Sequence, residues 1–240
     1  MTLSARDRLI FALDVPDPEP AHALIETLGG HVGLFKVGLE LFVRCGPDIV
    51  RHIVNRGGGG VFLDLKLHDI PATVERTMAR IADLGVRFAT VHCGESRAML
   101  EAAVRGAGGR VGVLAVTLLT SVSAADLYSA DIGDGGPTAV EDLVLKRAAM
   151  AESAGCRGVI CSGLEAAALK ADLGGDFLAV TPGIRPAQGA ARGDQRRVAT
   201  PAAAIKAGSD FLVVGRPIRD AKDPGAAADA IVAEIASALE

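Results

Sequence analysis

Eight short, mostly apolar runs alternate with longer amphipathic patterns along the chain, and this alternation constrains the fold more than any other feature. The sequence predicts a strand at each run: 8–14, 34–38, 61–67, 88–92, 111–118, 157–161, 177–181 and 210–214. Strands of a parallel sheet are buried on both faces, so they are apolar throughout instead of alternating with polar residues. We therefore expect an α/β protein built on a parallel sheet.

Helices are predicted between the strands by apolar residues spaced three and four apart. The predicted helices cover 19–28, 47–56, 71 to near 85, 95–105, 138–154, 163–172 and 200–207, and a last helix aligns Ile231, Ile235 and Leu239. Eight strand and helix units predict a closed (β/α)8 barrel, the TIM-barrel fold, as one domain over residues 1–240. An open, doubly wound sheet is the alternative, but it predicts a GxGxxG turn after the first strand, where this chain has Asp14-Val15-Pro16-Asp17.

The overall charge and the cysteine pattern exclude several classes of protein. The 240 residues carry a net charge of -4 and no segment is dominated by Lys or Arg, which argues against a nucleic-acid partner. No apolar stretch is long enough to cross a membrane, and the run 9–13 is too short for the core of a signal peptide, so a cytoplasmic protein is expected. The four cysteines have no CxxC spacing and are expected to be reduced and mostly buried.

Charged residues interrupt two of the apolar runs. Asp64 and Lys66 lie in the third predicted strand, Asp69 follows its end, and Lys36 lies in the second strand. Side chains two residues apart on a strand point to the same face, so Asp64 and Lys66 are expected to point the same way. Burying an unpaired charge costs roughly several kcal/mol, so these groups must neutralise one another or serve a function. The alternatives are a structural ion pair for Asp64 and Lys66, an outward-pointing edge position for Lys36, and a helix cap for Asp69.

Two long connections are expected to take part in function. Residues 120–137 follow the fifth strand and residues 182–198 follow the seventh. Structureless loops of this length in a compact domain are usually lids or binding loops. The second connection is rich in Gly, Arg and Gln, and a surface loop without function is the alternative for it.

In a closed barrel the carboxyl ends of all strands share one face, and every unusual charge of this sequence then lies there. The residues brought to that face are Asp14, Lys36, Asp64, Lys66, Asp69, Thr120, the 182–198 loop and the pair Gly215-Arg216. Barrel enzymes have their active sites on this face, often with a phosphate site formed by the loops after strands 7 and 8. The residues alone therefore predict a barrel enzyme that acts on a phosphorylated small molecule and uses Lys66 as an acid.

The run Asp64-Leu65-Lys66-Leu67-His68-Asp69-Ile70-Pro71-Ala72-Thr73 resembles the signature of the orotidine 5'-phosphate decarboxylase family, whose reaction is the last step of UMP synthesis. Similar motifs occur along nearly the whole chain: Ala12-Leu13-Asp14, Lys36-Val37-Gly38, Val116-Thr117-Leu118-Leu119-Thr120-Ser121, Thr181-Pro182-Gly183-Ile184-Arg185-Pro186, Gly193-Asp194-Gln195 and Val214-Gly215-Arg216-Pro217-Ile218. The family commonly has Asn at the place of Ala72, a departure that affects no residue assigned to the chemistry. The resemblance implies a TIM barrel that converts orotidine 5'-monophosphate to UMP and CO2 with no metal and no organic cofactor.

The resemblance also implies roles for individual residues. Lys66 would donate the proton, flanked by Asp64 and by an Asp69 that comes from the partner subunit of a homodimer, with Thr73 shared across the same interface. The residues implied at the ribose end of the site are Asp14, Lys36, Asp69 and Thr73, and Lys36 would also offset the charge of the acids. Thr120 would lie by the base, and the residues implied at the phosphate are Arg185, Gln195, Gly215 and Arg216.

Two other functions fit parts of this sequence. The first is a Mg²⁺-dependent sugar-phosphate enzyme of the same superfamily, such as a ketogulonate-phosphate decarboxylase or a hexulose-phosphate synthase, which resembles this chain in an Asp-x-Lys-x-x-Asp strand. His68, the run 117–121 and the loop from Arg185 to Gln195 favour the decarboxylase over it. The second is a catalytically silent nucleotide-binding module, which the presence of the lysine and both acids disfavours. His68 and His92 are expected to be structural.

Overall fold

Eight parallel strands close into a barrel in the part of the chain that the structure describes. The computed structural model describes residues 3–57, 59–94, 96–132, 136, 139–186 and 199–240. The strands are β1 (Leu9–Ala12), β2 (Leu34–Gly38), β3 (Gly60–Leu67), β4 (Phe88–His92), β5 (Gly112–Val116), β6 (Gly158–Ile160), β7 (Leu178–Thr181) and β8 (Phe211–Val214). Each strand pairs with the next along the chain, and β8 pairs with β1. The predicted (β/α)8 barrel is confirmed, and the open sheet is excluded because the last strand pairs with the first, which leaves no edge strand.

Helices follow the strands and cover the outside of the barrel. They are α1 (Pro18–Leu28), α2 (Leu39–Cys45), α3 (Asp48–Arg56), α4 (Pro71–Ala82), α5 (Arg97–Ala107), α6 (Ala124–Ser129), α7 (Ala139–Ser153), α8 (Ala166–Leu173), α9 (Pro201–Lys206), α10 (Arg216–Arg219) and α11 (Pro224–Leu239). Several of them begin at a proline, whose fixed φ suits the first helical position and whose missing N–H has no role there. The predicted apolar face of α4 is buried as expected and consists of Val74, Met78, Ile81 and Ala82.

Three short helices, α2, α6 and α10, lie outside the sequence prediction. In α2, Leu39 and Val43 are exposed, so the helix lacks the apolar stripe by which a helix is recognised in a sequence. The predicted structureless connection 120–137 is wrong in part, because Ser123 and Asp126 form a capping box that starts α6. The fifth strand is also shorter than predicted and ends at Val116.

Two apolar layers surround the strands. The inner layer, which fills the barrel, consists of Ile10, Ala12, Leu34, Phe62, Phe88, Leu114, Val180, Phe211 and Val213. The outer layer is larger and lies between the strands and the helices. At the amino-terminal end of the strands, the guanidinium of Arg87 lies 5.3 Å from the ring centroids of both Phe88 and Phe211. At the carboxyl end, Ala12 and Phe62 of the inner layer form part of the floor of a cavity.

The strand β3 is irregular where the charged residues lie. Leu63 pairs with Ala89 of β4, but the next pair is Leu67 with Val91, so four steps along β3 face two steps along β4. Within this bulge Lys66 has a φ of 50°, in the left-handed region that costs a non-glycine residue about 1–2 kcal/mol. The ladder of β3 is therefore irregular at this segment. The predicted common direction of Asp64 and Lys66 nevertheless holds, because both side chains line the same cavity and contact each other.

The cysteines and the helices agree with two simpler expectations. All four cysteines are free; Cys93, Cys156 and Cys161 are buried, and Cys45 is partly exposed. Over the described ranges of the chain, none of the helices combines the length and the apolarity that crossing a bilayer requires.

Candidate active site

The carboxyl ends of the strands surround a cavity of about 520 Å³. Its apolar floor consists of Ala12, Phe62, Val116, Ile160 and Val213. Its walls are polar and carry lysines, aspartates and arginines. A cavity with an apolar base and a few polar groups on its walls is typical of a binding site for a small molecule.

Four alternating charges form a row on one side of the cavity, which we call the lysine–aspartate row: Asp14, Lys36, Asp64 and Lys66. The Nζ of Lys36 lies 2.8 Å from Asp14 Oδ1 and 4.0 Å from Asp64 Oδ2. The Nζ of Lys66 lies 2.8 Å from the same Asp64 oxygen. Each ammonium therefore contacts a carboxylate, which compensates for the cost of placing four charges in a partly buried site.

Three neighbouring strands supply this row. Asp14 follows β1, Lys36 lies in β2 opposite Ala12, and Asp64 and Lys66 lie in β3. The side chain of Lys36 is only 11% exposed, so the alternative of an outward-pointing Lys36 is wrong, and a closed barrel offers no edge strand. The side chain of Lys66 is 29% exposed, so its ammonium is the more accessible of the two to a molecule in the cavity.

Thr90 of β4 contacts both members of the Asp64 and Lys66 pair. Its Oγ1 lies 2.9 Å from Asp64 Oδ1 and accepts a 2.8 Å hydrogen bond from the backbone N–H of Lys66. Thr90 is 1% exposed. The sequence prediction treated it only as a strand residue, although a single hydroxyl in an apolar run next to a charged strand is a signal that it has a polar partner.

Arg185, Arg216 and Arg219 also line the cavity, and we call the part of the wall that they form the arginine side. Arg185 follows β7, which faces β3 across the barrel, and the other two lie in α10. The sequence prediction did not single out Arg219, whose Nη1 donates to the backbone oxygen of Asp14 at 2.7 Å and whose Nε contacts Asp220. Guanidinium groups are well suited to bind the oxygens of a phosphate.

The remaining predicted site residues fall into three groups. Thr120 and Gly215 line the cavity. Asp69 and Thr73 do not line it; Asp69 is exposed after the end of β3, and Thr73 is half-buried in the first turn of α4. Gln195 lies outside the described residues, as does the part of the 182–198 loop from 187 onward.

The structure describes residues 182–186 at the start of that loop and Ala199 directly after its end, and hydrogen bonds join these two segments. The N–H of Arg185 donates to Ala199 O at 2.9 Å, and the N–H of Ala199 donates to Gly183 O at 3.4 Å. Because Gly183 and Arg185 line the cavity, the start of the loop and Ala199 lie beside the arginine side.

Asp69 does not cap α4, so this alternative reading of the sequence is wrong. The N-cap position belongs to Ile70, which makes no side-chain capping hydrogen bond. Asp69 Oδ1 instead accepts the N–H of Ile70 at 2.6 Å. Its carboxylate lies at the surface of the chain, away from the cavity of its own barrel.

Two histidines lie beside the lysine–aspartate row. The ring centroids of His68 and His92 are 5.7 Å apart. Burial lowers the pKa of His92, and the charges of His68, Lys66 and Arg147 lower it further, against an opposing effect of Asp64. His92 is therefore a neutral imidazole at pH 7.

No group of three or more His, Cys, Asp or Glu side chains is arranged to hold a metal ion in the ranges that the structure describes. The carboxylates of Asp14 and Asp64 are in contact with lysine ammonium groups. A divalent cation at either acid would compete with these ammonium groups for the same oxygens.

Comparisons with known proteins agree with the motifs. A model of the family described as "Orotidine 5'-phosphate decarboxylase / HUMPS family" matches residues 7–231. The orotidine 5'-phosphate decarboxylase of Desulfosudis oleivorans is 54% identical over 237 residues, which cover 98% of this chain and 95% of that protein. The protein of the same name from Halorhodospira halophila is 52% identical over 241 residues, which cover 99% of this chain and 100% of that protein.

Solved structures agree with the sequence relatives. The crystal structure of orotidine 5'-phosphate decarboxylase from Lactobacillus acidophilus has a TM-score of 0.82 and 40% identity, and the match covers 95% of this chain and 98% of that one. The structure from Pyrococcus horikoshii has a TM-score of 0.71 and 26% identity, with 95% and 98% covered. The resemblance predicted from the motifs is thus confirmed: the chain belongs to the orotidine 5'-phosphate decarboxylase / HUMPS family.

Proposed function

We propose that the chain decarboxylates orotidine 5'-monophosphate to UMP and CO2, as a carboxy-lyase of pyrimidine biosynthesis. Relatives that match nearly the whole chain carry this enzyme name. The observation that carries the proposal is the position of Lys66, whose ammonium contacts Asp64 at 2.8 Å and lines the same cavity as three arginines. The cavity therefore offers a cation for a developing negative charge and further cations for a phosphate.

The proposed reaction needs a cation beside the reacting carbon. Loss of CO2 leaves an electron pair on a pyrimidine ring carbon that has no obvious π acceptor, so the protein must stabilise the charge electrostatically. An ammonium about 4 Å from a unit negative charge interacts with it by about 4 kcal/mol at an effective dielectric constant of about 20. Lys66 supplies this charge and then donates its Nζ proton to the same carbon, which gives UMP and a neutral amine.

Asp64 and Lys36 have supporting parts in this mechanism. Asp64 accepts a hydrogen bond from Lys66 and orients it, and Lys36 offsets the charges of Asp14 and Asp64. We also propose that Asp64 lies near the substrate carboxylate, so that the bound substrate is destabilised relative to a transition state that is losing this charge. An Asp64→Asn variant should then bind the substrate more tightly and convert it more slowly. Unchanged binding and an unchanged rate would contradict this part of the mechanism.

The rest of the substrate would be bound away from the reacting carbon. The residues proposed at the phosphate are Arg185, Gln195, Gly215 and Arg216; those proposed at the ribose are Asp14, Lys36, Thr73 and the partner's Asp69; and Thr120 is proposed at the base. Closure of the 182–198 loop over the phosphate would exclude water and apply binding energy to the transition state. The three arginines that line the cavity support this placement of the phosphate.

We propose that the reaction requires no metal and no organic cofactor. Asp14 Oδ1 and Asp64 Oδ2 each lie 2.8 Å from an ammonium, so a cation that bound either oxygen would have to displace a lysine. A Mg²⁺-dependent sugar-phosphate enzyme would lose its activity in the presence of a strong chelator. The proposed decarboxylase would not.

We further propose a homodimer in which Asp69 and Thr73 complete the site of the partner subunit. Both residues lie outside the cavity of their own chain, and Asp69 is exposed. The segments that follow β2 and β3 also expose large apolar side chains: Leu39 is 54% exposed, Val43 81% and Ile70 66%. A second copy of the chain that covered these side chains would remove them from water and bring Asp69 to a neighbouring cavity.

A heterodimer of two inactive variants tests the shared site. One subunit carries Lys66→Ala and the other carries Asp69→Ala, and different tags on the two subunits allow the mixed dimer to be purified. If Asp69 crosses the interface, one of the two sites has both groups and about half of the wild-type activity should return. A heterodimer as inactive as the two parent homodimers would contradict the proposal.

The reaction itself is tested by following the ultraviolet absorbance of orotidine 5'-monophosphate mixed with the purified protein and excess chelator. Fast conversion to UMP that disappears in a Lys66→Ala control would support the reaction, its independence of metal and the role of the lysine. Conversion that requires added Mg²⁺ would contradict metal independence. If the wild-type protein converts none of this substrate, the sugar-phosphate alternative replaces the proposal.

A further inference from the structure

We propose that Thr90 is a positioning residue of this site: its hydroxyl joins the Asp64 carboxylate to the Lys66 backbone and thereby fixes the direction of the Lys66 ammonium. Thr90 is buried beneath the row and is not among the residues that line the cavity. It therefore acts through Asp64 and Lys66 and does not touch the substrate. Its role depends on the proposed function, because Lys66 must be the proton donor for its position to matter.

The bulge in β3 explains why the backbone N–H of Lys66 needs a side chain as its hydrogen-bond acceptor. Between the pairs Leu63 with Ala89 and Leu67 with Val91, β3 has the three residues 64–66 where β4 has only Thr90. One residue cannot provide backbone partners for three, so the regular ladder of hydrogen bonds is interrupted here. The N–H of residue 66 donates at 2.8 Å to the hydroxyl of residue 90, where a regular strand would use a carbonyl.

The directions of the hydrogen bonds follow from the groups involved. A backbone N–H can only donate, and an ionised carboxylate can only accept. The hydroxyl of Thr90 therefore accepts from Lys66 N and donates its single proton to Asp64 Oδ1. The second oxygen of Asp64 accepts from Lys66 Nζ at 2.8 Å. These bonds close a ring that includes both the backbone and the side chain of Lys66.

The backbone conformation of Lys66 makes this ring important. Its φ of 50° is one that a non-glycine residue keeps only where surrounding contacts require it. Without the hydroxyl, the N–H of Lys66 would lose its acceptor and Asp64 would lose a donor, both next to the buried position 90. We expect both groups to shift, and a displacement of about 1 Å in a catalytic site reduces a rate by about 100-fold.

Two substitutions at position 90 separate the hydroxyl from its packing. Thr90→Val keeps the shape of the side chain and removes the hydroxyl, whereas Thr90→Ser keeps the hydroxyl and removes a methyl group. The kcat of Thr90→Val should fall about 10- to 100-fold, while its affinity for UMP, measured by calorimetry, should stay within about threefold of wild type. Thr90→Ser should keep its kcat within about threefold of wild type.

Thr181→Val is the matched control for the loss of a buried hydroxyl. Thr181 lies in β7 and is buried, and its Oγ1 lies 2.7 Å from Ser209 Oγ. This variant should lower the Tm, as we also expect for Thr90→Val, and should leave kcat unchanged. A loss of kcat in Thr90→Val alone would then reflect the position of Lys66 and not a general loosening of the barrel.

Wild-type turnover of orotidine 5'-monophosphate is measured first, so that the two proposals can fail separately. A wild-type protein without turnover overturns the proposed function, and the role of Thr90 falls with it. An active wild type together with an unchanged kcat in Thr90→Val, or with equal losses in Thr90→Val and Thr90→Ser, overturns the role of Thr90 alone. If Thr90→Val does not fold, Thr90→Ala, which also lacks the hydroxyl, is measured in its place with the same expected loss.

Discussion

Two lysine–aspartate pairs, one at each end of the barrel strands, differ in what surrounds the ammonium. At the amino-terminal end, Lys170 Nζ contacts Asp210 Oδ2 at 2.7 Å and also donates to the carbonyls of Gly175 and Phe177 at 3.0 and 2.7 Å. The same carboxylate oxygen accepts the N–H of Ala179 at 2.8 Å. The side chains of this pair are 16% and 19% exposed. The three N–H donors of Lys170 are thus all used by the protein.

At the carboxyl end, Lys66 has a different environment. In the part of the chain that the structure describes, Asp64 is the hydrogen-bond partner of its ammonium, at 2.8 Å, and the side chain is 29% exposed beside the cavity. Two of its three donors are therefore available to a bound molecule. A partly buried ion pair alone does not indicate a function, because Lys170 forms one too. What distinguishes Lys66 is that it has unused hydrogen-bond donors facing a cavity.

The largest expected effect is the loss of turnover in Lys66→Met. The kcat should fall by at least about 10³-fold, because the variant has neither the proton donor nor the cation that the reaction needs. The free energy of unfolding, measured with urea, should change by about 1 kcal/mol or less, because Thr90 and Lys36 still contact Asp64. If Lys66→Met kept an activity close to that of the wild type, Lys66 would have no more part in the reaction than Lys170 has.

The same substitution at the other pair, Lys170→Met, should have the opposite result. It leaves Asp210 and two carbonyls without their cation, so the free energy of unfolding should fall by about 2–4 kcal/mol. The kcat should stay at the wild-type value, because the pair lies at the far end of the strands. Urea unfolding and the absorbance assay on one preparation measure both quantities. A loss of kcat without a loss of stability would contradict the structural role of Lys170.

A smaller loss of activity is expected when an arginine of the arginine side is replaced. Arg216→Ala should lower kcat/KM by about 100-fold, mainly through KM, and added guanidinium should restore part of it. The control is Arg97→Ala, because Arg97 pairs with Glu101 at 2.8 Å on the outside of the barrel and does not line the cavity. Steady-state kinetics that are equal for the two variants would remove Arg216 from the site.

The smallest expected effect is on the pH dependence of the free energy of unfolding, through His92, which lies beside Asp64 and Lys66. Because burial and then nearby cations lower the pKa of His92, the unfolded chain binds a proton below about pH 6.5 before the folded chain does. The free energy of unfolding should therefore fall as the pH falls below about 6.5, by no more than about 1.4 kcal/mol per pH unit for this one group. His92→Gln should reduce that decline in urea unfolding between pH 7.5 and 5.5.

The Lys66→Met background sharpens this last measurement. Lys66 is one of the cations that lower the pKa of His92, although burial is the larger cause. The pH dependence that His92 contributes should therefore be reduced but not abolished when Lys66 is replaced. A pH dependence that is the same with and without His92 would show that this histidine is not responsible for it.

Local patterns in the sequence predicted much of the fold. The apolar faces of strands and helices depend on neighbours within a few residues, so the buried face of α4 and the eight strands were predictable. The same patterns missed α2, whose Leu39 and Val43 are exposed, because an apolar side chain that does not face the core carries no periodic signal. They also missed α6, since its start depends on the single capping pair of Ser123 and Asp126.

The sequence by itself determined the fold class, the family and the gathering of Asp14, Lys36, Asp64 and Lys66 at one face, because eight strand and helix units of this kind close into a barrel. Only the tertiary structure decided that Lys36 points inward and that Asp69 lies outside the cavity of its own chain. It alone revealed the bulge that brings Thr90 under residues 64–66. The physical reason is that these features depend on pairing between strands far apart in the sequence, which no local pattern of residues specifies.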